Sequence, residues 1–195
     1  MTVFGKGPNV VLICWLIFWF YWLGSSFFVK KSIIKRGPGW IIWRVAVSLI
    51  VILFIRFDRS GAQDFNSLFK FLFQSSFNFV IAGSVLTVLG LLGAIWARIY
   101  LGRNWSGYVT YKENQELVTT GPYRFVRHPI YTSMILMFIG TMLYYGFLFI
   151  SIILVIAAIN FILRARKEEA IMIKLFGEKY TDYMKRTKRF IPLIY

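Results

Sequence analysis

The sequence predicts an all-α protein embedded in a membrane, with about five transmembrane helices. Of its 195 residues, 58% are hydrophobic and 19% are aromatic, which is more apolar material than a soluble domain of this size needs. Several long runs lack charged residues, as membrane-spanning helices do. We expect the last two spans to form a short helical hairpin and a cytosolic amphipathic helix to follow it.

Three apolar runs make up the first part of the chain. Span one covers roughly residues 9–29, span two residues 40–57 and span three residues 77–101, with a mixed loop at 58–74. Arg44, near the start of span two, is expected to reach the interface and anchor that helix. Small residues recur at helical spacing along span three, which predicts close packing against another helix. They are Gly83, Thr87, Gly90, Ala94 and Ala97.

The predicted hairpin and a charged tail make up the rest of the chain. The two arms, residues 130–143 and 147–163, are separated by an uncharged turn, so both open ends should lie at the same membrane face. The tail, residues 164–195, carries nine of the 23 Lys and Arg residues. Its amphipathic helix either lies on the membrane surface or folds back over the hairpin mouth. Gly177 is a candidate interruption between its apolar positions Met172, Leu175, Phe176, Tyr180, Tyr183 and Met184.

Charge and composition exclude several functional classes. The net charge is +15, but the basic residues gather mainly after spans one and three and in the tail. This distribution predicts an N-terminus outside and a C-terminus in the cytoplasm. No basic helix or finger motif is available for a nucleic-acid groove, so we expect no nucleic-acid partner. Cys14 and His128 are each the only residue of their type, so we expect neither a disulfide nor a metal site. One domain, residues 1–195, is expected, with three spans in 1–100 and the catalytic half in 101–195.

The segment GPYRFVRHPIY, Gly121 to Tyr131, is the clearest candidate for a functional site. Its first proline marks a turn, and Pro129 suits the first position of a helix. Arg127 and His128 should therefore stand at the mouth of a helix that enters the membrane. Free backbone N–H groups and the helix dipole favour an anionic group there.

A second polar cluster should face this segment across the hairpin mouth. Arg164 and Glu168 are four residues apart and share a helix face, and Glu169 follows them. Interfacial ion pairing explains either cluster alone, whereas both together around the only histidine indicate a pocket for a ligand that carries both charges. Because no nucleophile arrangement or phosphate loop is present, we expect group transfer that depends on positioning and electrostatics.

The motifs resemble those of the isoprenylcysteine carboxyl methyltransferase family, which is related to membrane phospholipid N-methyltransferases. The segments that carry the resemblance are GPYRFVRHPIY, LRARKEE and FGEKYTDYMKRTKRFIP, in this order between about Leu101 and Pro192. Spans one to three match only in hydrophobic character. The resemblance implies S-adenosylmethionine as methyl donor and S-adenosylhomocysteine as product, with the donor bound from the cytosol between the hairpin mouth and the tail.

The resemblance also implies the site residues. Donor binding is carried over to Tyr123, Arg127, His128, Pro129, Tyr131, Glu168, Glu169, Tyr180 and Tyr183. The catalytic roles are carried over to Arg164, which is expected to orient the acceptor, and to Glu168.

The expected donor contacts follow from the chemistry of the donor. The helix start at Pro129, with Arg127 or His128, should hold the donor carboxylate. Glu168 or Glu169 should hold its ammonium or ribose hydroxyls, and tyrosine faces should stabilise the sulfonium.

The expected acceptor is lipid-like and enters from the bilayer, so it and the membrane lipids are the predicted partners. Carboxyl O-methylation of an isoprenylcysteine-type substrate is favoured, with a phospholipid or another small lipid as alternatives. A carboxylate acceptor is already ionised at neutral pH and needs no base, whereas an amine would need Glu168 or His128 as a base.

Two other functions stay open. One is an NADPH-dependent intramembrane reductase of sterol-reductase-like plan, which is a fold-level analogy. The glutamate pair argues against it, because a 2′-phosphate prefers Arg and Lys. The other is a non-enzymatic scaffold or small transporter, against which the charges collect at one membrane face and do not line a path across it.

Overall fold

A computed structural model of the chain describes residues 9–30, 77–106, 114–145 and 148–192, and this part is helical, as the sequence predicts. Span two, Arg44 and the loop of residues 58–74 lie outside the described residues. The α-helices are α1 (Val10–Ser25), α2 (Phe77–Leu101), α3 (Pro129–Tyr145), α4 (Leu148–Phe176) and α5 (Glu178–Arg186). Two 3₁₀ turns, η1 (Gly102–Asn104) and η2 (Gly121–Arg124), connect them.

One helical stretch in the described residues, Phe77–Asn104, is long and apolar enough to cross a membrane. It consists of α2 and the η1 turn that continues it. Helices α1 and α3 are apolar but shorter, at 16 and 17 residues. Among the described residues the structure therefore shows one helix of membrane-spanning length and composition, and the number of crossings and their orientation remain predictions.

The first helix is shorter than the predicted span, which extended to residue 29. It begins after Asn9, whose side chain accepts a hydrogen bond from the N–H of Leu12 at 3.1 Å. It ends at Ser25, whose carbonyl accepts a hydrogen bond from Nη2 of Arg98 at 2.8 Å. A buried guanidinium from α2 thus satisfies a carbonyl that the end of α1 leaves without an intrahelical donor.

Helices α2 and α3 pack with their backbones in close contact. A β-carbon on Gly83 would lie 2.6 Å from the carbonyl oxygen of Gly140, and one on Gly90 would lie 2.7 Å from that of Ser133. Thr87 between them is fully buried. The small-residue stripe predicted on this helix is therefore confirmed as its packing face.

The predicted hairpin arms correspond to α3 and α4, but α4 continues well beyond the predicted end at residue 163. Gly177 ends it with φ of +52°, and the N–H of Gly177 donates to the carbonyl of Ile173 at 2.9 Å. A left-handed glycine after a helix stops it in this way. The candidate interruption at Gly177 is therefore confirmed, and the tail holds two helical segments instead of one helix: its first three apolar positions belong to α4 and its last three to α5.

The segment after α5 folds back onto the mouth of α3. The backbone N–H of Arg127 donates to the carbonyl of Lys188 at 2.8 Å, and that of His128 to the carbonyl of Arg189 at 3.1 Å. The hydroxyl of Thr132 donates to the carbonyl of Phe190 at 2.8 Å. The tail was expected either on the membrane surface or over the hairpin mouth. The segment after α5 lies over the hairpin mouth.

Candidate functional site

The local backbone around η2 presents the hairpin mouth. Gly121 has φ of +59°, and the ring of Tyr100 occupies the space that a β-carbon would need there. Only glycine meets both conditions without strain. Pro129 is the first residue of α3, as predicted, and leaves Arg127 and His128 directly before the helix.

Glu169 on α4 is the centre of a buried ion-pair network. Its Oε1 lies 2.8 Å from Nε of Arg127, and its Oε2 lies 2.7 Å from Nη2 of Arg189. Nε2 of His128 is 3.3 Å from the same Oε1. Burial alone raises the pKa of Glu169, but the hydrogen bonds from His128, Arg189 and Arg127 outweigh it and hold that pKa well below its usual value.

Arg127 joins this network to the end of α5. Its Nη1 donates to the carbonyls of Met184 and Thr187, while its Nε is bound to Glu169. Charge-assisted hydrogen bonds of this kind are roughly twice as strong as those between neutral groups. Arg127 therefore connects the mouth of α3, the charged half of α4 and the C-terminal segment.

Glu168 lies in a different environment from its neighbour. The hydroxyl of Tyr131 donates to its Oε1 at 2.7 Å. Nη2 of Arg164 is 3.7 Å from that oxygen, and Nδ1 of His128 is 3.6 Å from Oε2. The Glu168 side chain is 23% exposed, compared with 5% for Glu169, so Glu168 is the more accessible of the two carboxylates.

An aromatic stack forms one wall beside Glu168. The ring of His128 stacks on Tyr131 with 5.5 Å between centroids, and Tyr131 stacks on Phe161 at 4.9 Å. The guanidinium carbon of Arg164 lies 5.9 Å from the centre of the Tyr131 ring. The wall thus combines flat apolar faces with charged groups at its edge.

Three further tyrosines line the joint between η2 and α5. The hydroxyl of Tyr183 donates to the carbonyl of Tyr123 at 2.6 Å, and the rings of Tyr180 and Tyr183 meet edge to face at 5.8 Å. Burial raises the pKa of Tyr183 to about 12 and raises those of Tyr123 and Tyr180 well above the usual range. All three phenols are therefore protonated at neutral pH.

The structure brings the ten predicted site residues to the open end of the hairpin, although their functional roles stay predictions. Sequence reasoning missed Arg189 and Thr187, which contribute to the Glu169 network. Both lie in the FGEKYTDYMKRTKRFIP segment that carried the resemblance. Their contacts depend on a chain reversal after α5, which no residue periodicity indicates.

The sequence of this chain matches a known protein family. A model of the phospholipid methyltransferase family matches residues 78–179, which is just over half of the chain. The chain belongs to the phospholipid methyltransferase family. The matched range begins at α2, so the family match includes the helix that the motif resemblance left out, and it covers both glutamates of the site.

Two individual proteins are also similar in sequence to this chain. The nickel-cobalt-cadmium resistance protein NccN of Alcaligenes xylosoxydans xylosoxydans is 31% identical over 153 residues, which are 77% of this chain and 63% of that protein. The protein-S-isoprenylcysteine O-methyltransferase of Schizosaccharomyces pombe is 33% identical over 146 residues, 69% of this chain and 61% of that protein.

A solved structure is similar in fold. It is that of a eukaryotic intramembrane Ras methyltransferase, an isoprenylcysteine carboxyl methyltransferase, with a TM-score of 0.60 and 26% identity over 83% of this chain and 55% of that one. The resemblance to isoprenylcysteine carboxyl methyltransferases is therefore confirmed. The chain spans between 55% and 63% of the length of these three proteins.

Proposed function

We propose that this chain is a membrane methyltransferase that uses S-adenosylmethionine to methylate a lipid-like acceptor. Carboxyl O-methylation of an isoprenylcysteine-type substrate is the favoured reaction. The observation that carries the proposal is the difference between two adjacent glutamates at the hairpin mouth: Glu169 is buried and bound by two arginines, and Glu168 is more accessible. Family membership supports it, as does the similarity to two isoprenylcysteine methyltransferases.

The two glutamates fit different roles towards the donor. Both oxygens of Glu169 are held by Arg127 and Arg189 at 2.7–2.8 Å, so we assign Glu169 a structural role. Among the described residues, Glu168 has one short hydrogen bond, from Tyr131, and its charged neighbours lie at 3.6 and 3.7 Å, beyond a normal hydrogen bond. It therefore retains acceptor capacity for the ammonium or ribose hydroxyls of a donor.

The remaining groups of the donor match the rest of the mouth. The start of α3 presents its positive dipole end to a carboxylate, while the N–H groups of Arg127 and His128 just before it are bonded to the segment after α5. Aromatic rings at the mouth suit a sulfonium, which they attract by about 1 kcal/mol or more where water is excluded. Arg164 at the edge of the aromatic wall is placed to orient an anionic acceptor.

The protein groups have little covalent chemistry to perform. Bound S-adenosylmethionine supplies a methyl group activated by the positive sulfur. A carboxylate acceptor is ionised at neutral pH, so the protein only needs to align it and exclude water. The buried tyrosines are protonated at that pH and cannot act as bases, so an amine acceptor would depend on Glu168 or His128.

Calorimetric titration tests the proposal directly. The detergent-purified protein should bind S-adenosylhomocysteine saturably at micromolar concentration and should not bind NADPH in a parallel titration. Binding of NADPH alone would instead favour the reductase. Failure of both ligands to bind a demonstrably folded protein would leave the cluster as interfacial ion pairs.

Substitution at the mouth tests the assigned residues. Glu168→Gln and His128→Ala should each weaken S-adenosylhomocysteine binding about tenfold or more, because hydrogen bonds that involve a charged group contribute roughly 1.5–3 kcal/mol. Glu178→Gln, at an exposed position in the first turn of α5, is the control and should bind like wild type. Unchanged affinity in both site variants would remove the assignment.

A further inference from the structure

Asn160 is a polar residue in the apolar part of α4. Residues 148–163 contain no charged side chain, and Ser151 and Asn160 are the only polar residues among them. This part of the helix is the second arm of the hairpin, which is expected to lie in the bilayer. A polar side chain is costly there, and such residues commonly mark the path of a substrate. The amide of Asn160 therefore calls for a partner.

The hydrogen bonding of Asn160 leaves half of its amide available. Its Nδ2 donates to the carbonyl of Ile156 at 2.9 Å. A carboxamide has a second N–H and a carbonyl oxygen, and in the part of the chain that the structure describes neither is bonded to another residue. The side chain is partly exposed, so a ligand can reach it. Asn160 thus offers one donor and one acceptor side by side, which an amide group matches.

The position of Asn160 continues the polar cluster of the hairpin mouth. Asn160, Arg164 and Glu168 are spaced four residues apart, so they neighbour one another on one helix face. Nη2 of Arg164 is 3.7 Å from Oε1 of Glu168, and Asn160 lies one turn, about 6 Å, farther from the mouth. All three side chains are partly exposed, while Phe161 beside them is buried. A carboxylate, a guanidinium and an amide therefore follow one another into the apolar segment.

We infer that Asn160 is a specificity-determining residue, whose amide pairs with an amide group next to the carboxylate that is methylated. The inference rests on the proposed function and goes further by naming the acceptor class, an N-acylated amino acid that carries a lipid chain. With the carboxylate oriented by Arg164, the neighbouring amide lies on the side of Asn160, and the hydrocarbon continues into apolar surroundings.

Other lipid acceptors match Asn160 less well. The ester groups of a phospholipid accept hydrogen bonds but donate none, so they would leave the amide oxygen of Asn160 without a donor. A plain fatty acid has no polar group beyond its carboxylate and would leave both the N–H and the oxygen unpaired. An unpaired polar group in an apolar site costs free energy, so both classes should be discriminated against.

Methyl transfer to two matched acceptors tests the inference. N-acetyl-S-farnesylcysteine and S-farnesyl-3-mercaptopropionate differ only in the acetamido group next to the carboxylate. The value of kcat/KM with labelled S-adenosylmethionine is measured for both acceptors in detergent micelles. The dissociation constant of each acceptor is also measured on protein saturated with S-adenosylhomocysteine, where no transfer occurs.

Two variants are compared with wild type. Asn160→Leu removes the amide at similar side-chain size, and Ser151→Ala removes the other polar group of the same apolar segment and is the control. Asn160→Ala takes the place of Asn160→Leu if that variant does not fold. The affinity for S-adenosylhomocysteine is measured for every variant and should stay near wild type.

Wild type should prefer the acetamido acceptor by about tenfold in kcat/KM and in affinity, because two ordinary hydrogen bonds together have an effect of that size. Asn160→Leu should lose this preference while it keeps the wild-type kcat/KM for the mercaptopropionate. Ser151→Ala should keep the preference. A merely structural role of Asn160 would instead lower both acceptors to the same extent.

Three results would overturn the inference. They are equal values for the two acceptors in wild type, an unchanged preference in Asn160→Leu, and a parallel loss for both acceptors in that variant. Methylation of neither acceptor by wild type would instead count against the proposed function, and the affinities measured without transfer would then still decide whether Asn160 recognises the amide.

Discussion

At the residue scale, Glu168 and Glu169 have the same side chain and lie in different surroundings. Consecutive side chains on a helix point about 100° apart, so Glu169 faces the buried contact with Arg127 and Arg189 while Glu168 faces the half-open mouth. The carboxylate of Glu169 lies 2.7–2.8 Å from the guanidinium nitrogens of the two arginines. Among the described residues, the carboxylate of Glu168 has one short hydrogen bond, and its charged neighbours are farther away. The two side chains are chemically identical, so their different roles under the proposed function would come from their surroundings alone.

Matched substitutions at these two positions should separate stability from binding. Glu169→Gln should lower the free energy of unfolding by about 3 kcal/mol, because it leaves the largely buried guanidinium groups of Arg127 and Arg189 without their counter-charge. Glu168→Gln should have a much smaller effect on stability and a larger one on S-adenosylhomocysteine affinity. Chemical unfolding in a mild detergent, together with calorimetry, measures both quantities. Equal losses of stability in the two variants would contradict the distinction drawn between them.

At the scale of the elements, the close contact of α2 and α3 depends on glycines at the crossing. Since a β-carbon on Gly83 would lie 2.6 Å from backbone atoms of both Gly140 and Tyr144, neither helix can accommodate it by moving a side chain. In the part of the chain that the structure describes, no atom outside the local backbone of α1 lies within 4 Å of a β-carbon placed on Gly24. Gly83 and Gly24 are therefore a matched pair: both are glycines in helices, but only Gly83 lies at a close helix crossing.

Alanine substitution should destabilise the protein at Gly83 and should not destabilise it at Gly24. Gly83→Ala should destabilise the protein by about 1–2 kcal/mol, because overpacking typically costs more than the gain in helix propensity. Gly24→Ala should leave stability unchanged or raise it by up to about 1 kcal/mol. Thermal unfolding followed by circular dichroism compares them. A stabilising Gly83→Ala would mean that the α2–α3 contact is looser than described.

Over the whole molecule, the Glu169 network joins elements that are distant in the sequence. It ties the mouth of α3, the charged half of α4 and the segment after α5 at one point. A partly open apolar pocket lies beside this network, and Ile135 of α3, Ile162 of α4 and Phe190 after α5 contribute to its lining. A polar end and an apolar wall therefore meet at the hairpin mouth, which suits a reaction between a water-soluble donor and a lipid acceptor.

This network predicts how the stability of the whole protein depends on acid. Because the pKa of Glu169 is lowered in the folded protein, its contribution is complete above the ordinary carboxyl pKa of about 4.5 and is lost as the pH falls towards the folded-state value. The unfolding midpoint should therefore drop between about pH 4.5 and pH 3. Glu169→Gln should show a shallower drop over the same range. The same slope in wild type and variant would show that other groups cause the acid sensitivity.

Several features of this fold are predictable because they depend on local residue pattern. The length and uniform hydrophobicity of residues 77–101 predict α2, and its glycine spacing predicts the packing face. Pro129 predicts the start of α3, and Gly177 the break before α5. The end of α1 was not predictable, since it depends on Arg98, which reaches Ser25 from a helix more than 70 residues later.

The sequence by itself determined the helical class, the hairpin and the polar residues at its mouth. It also determined the resemblance to isoprenylcysteine carboxyl methyltransferases, which implied methyl transfer as the reaction. These follow from periodicity, turn residues and motif spacing, which all act over a few residues. The tertiary structure decided that Glu169 is bound by Arg127 and Arg189 while Glu168 stays accessible, and that a partly open apolar pocket lies beside them. Both depend on the reversal of the chain after α5, whose energy comes from contacts between segments about 20 to 60 residues apart.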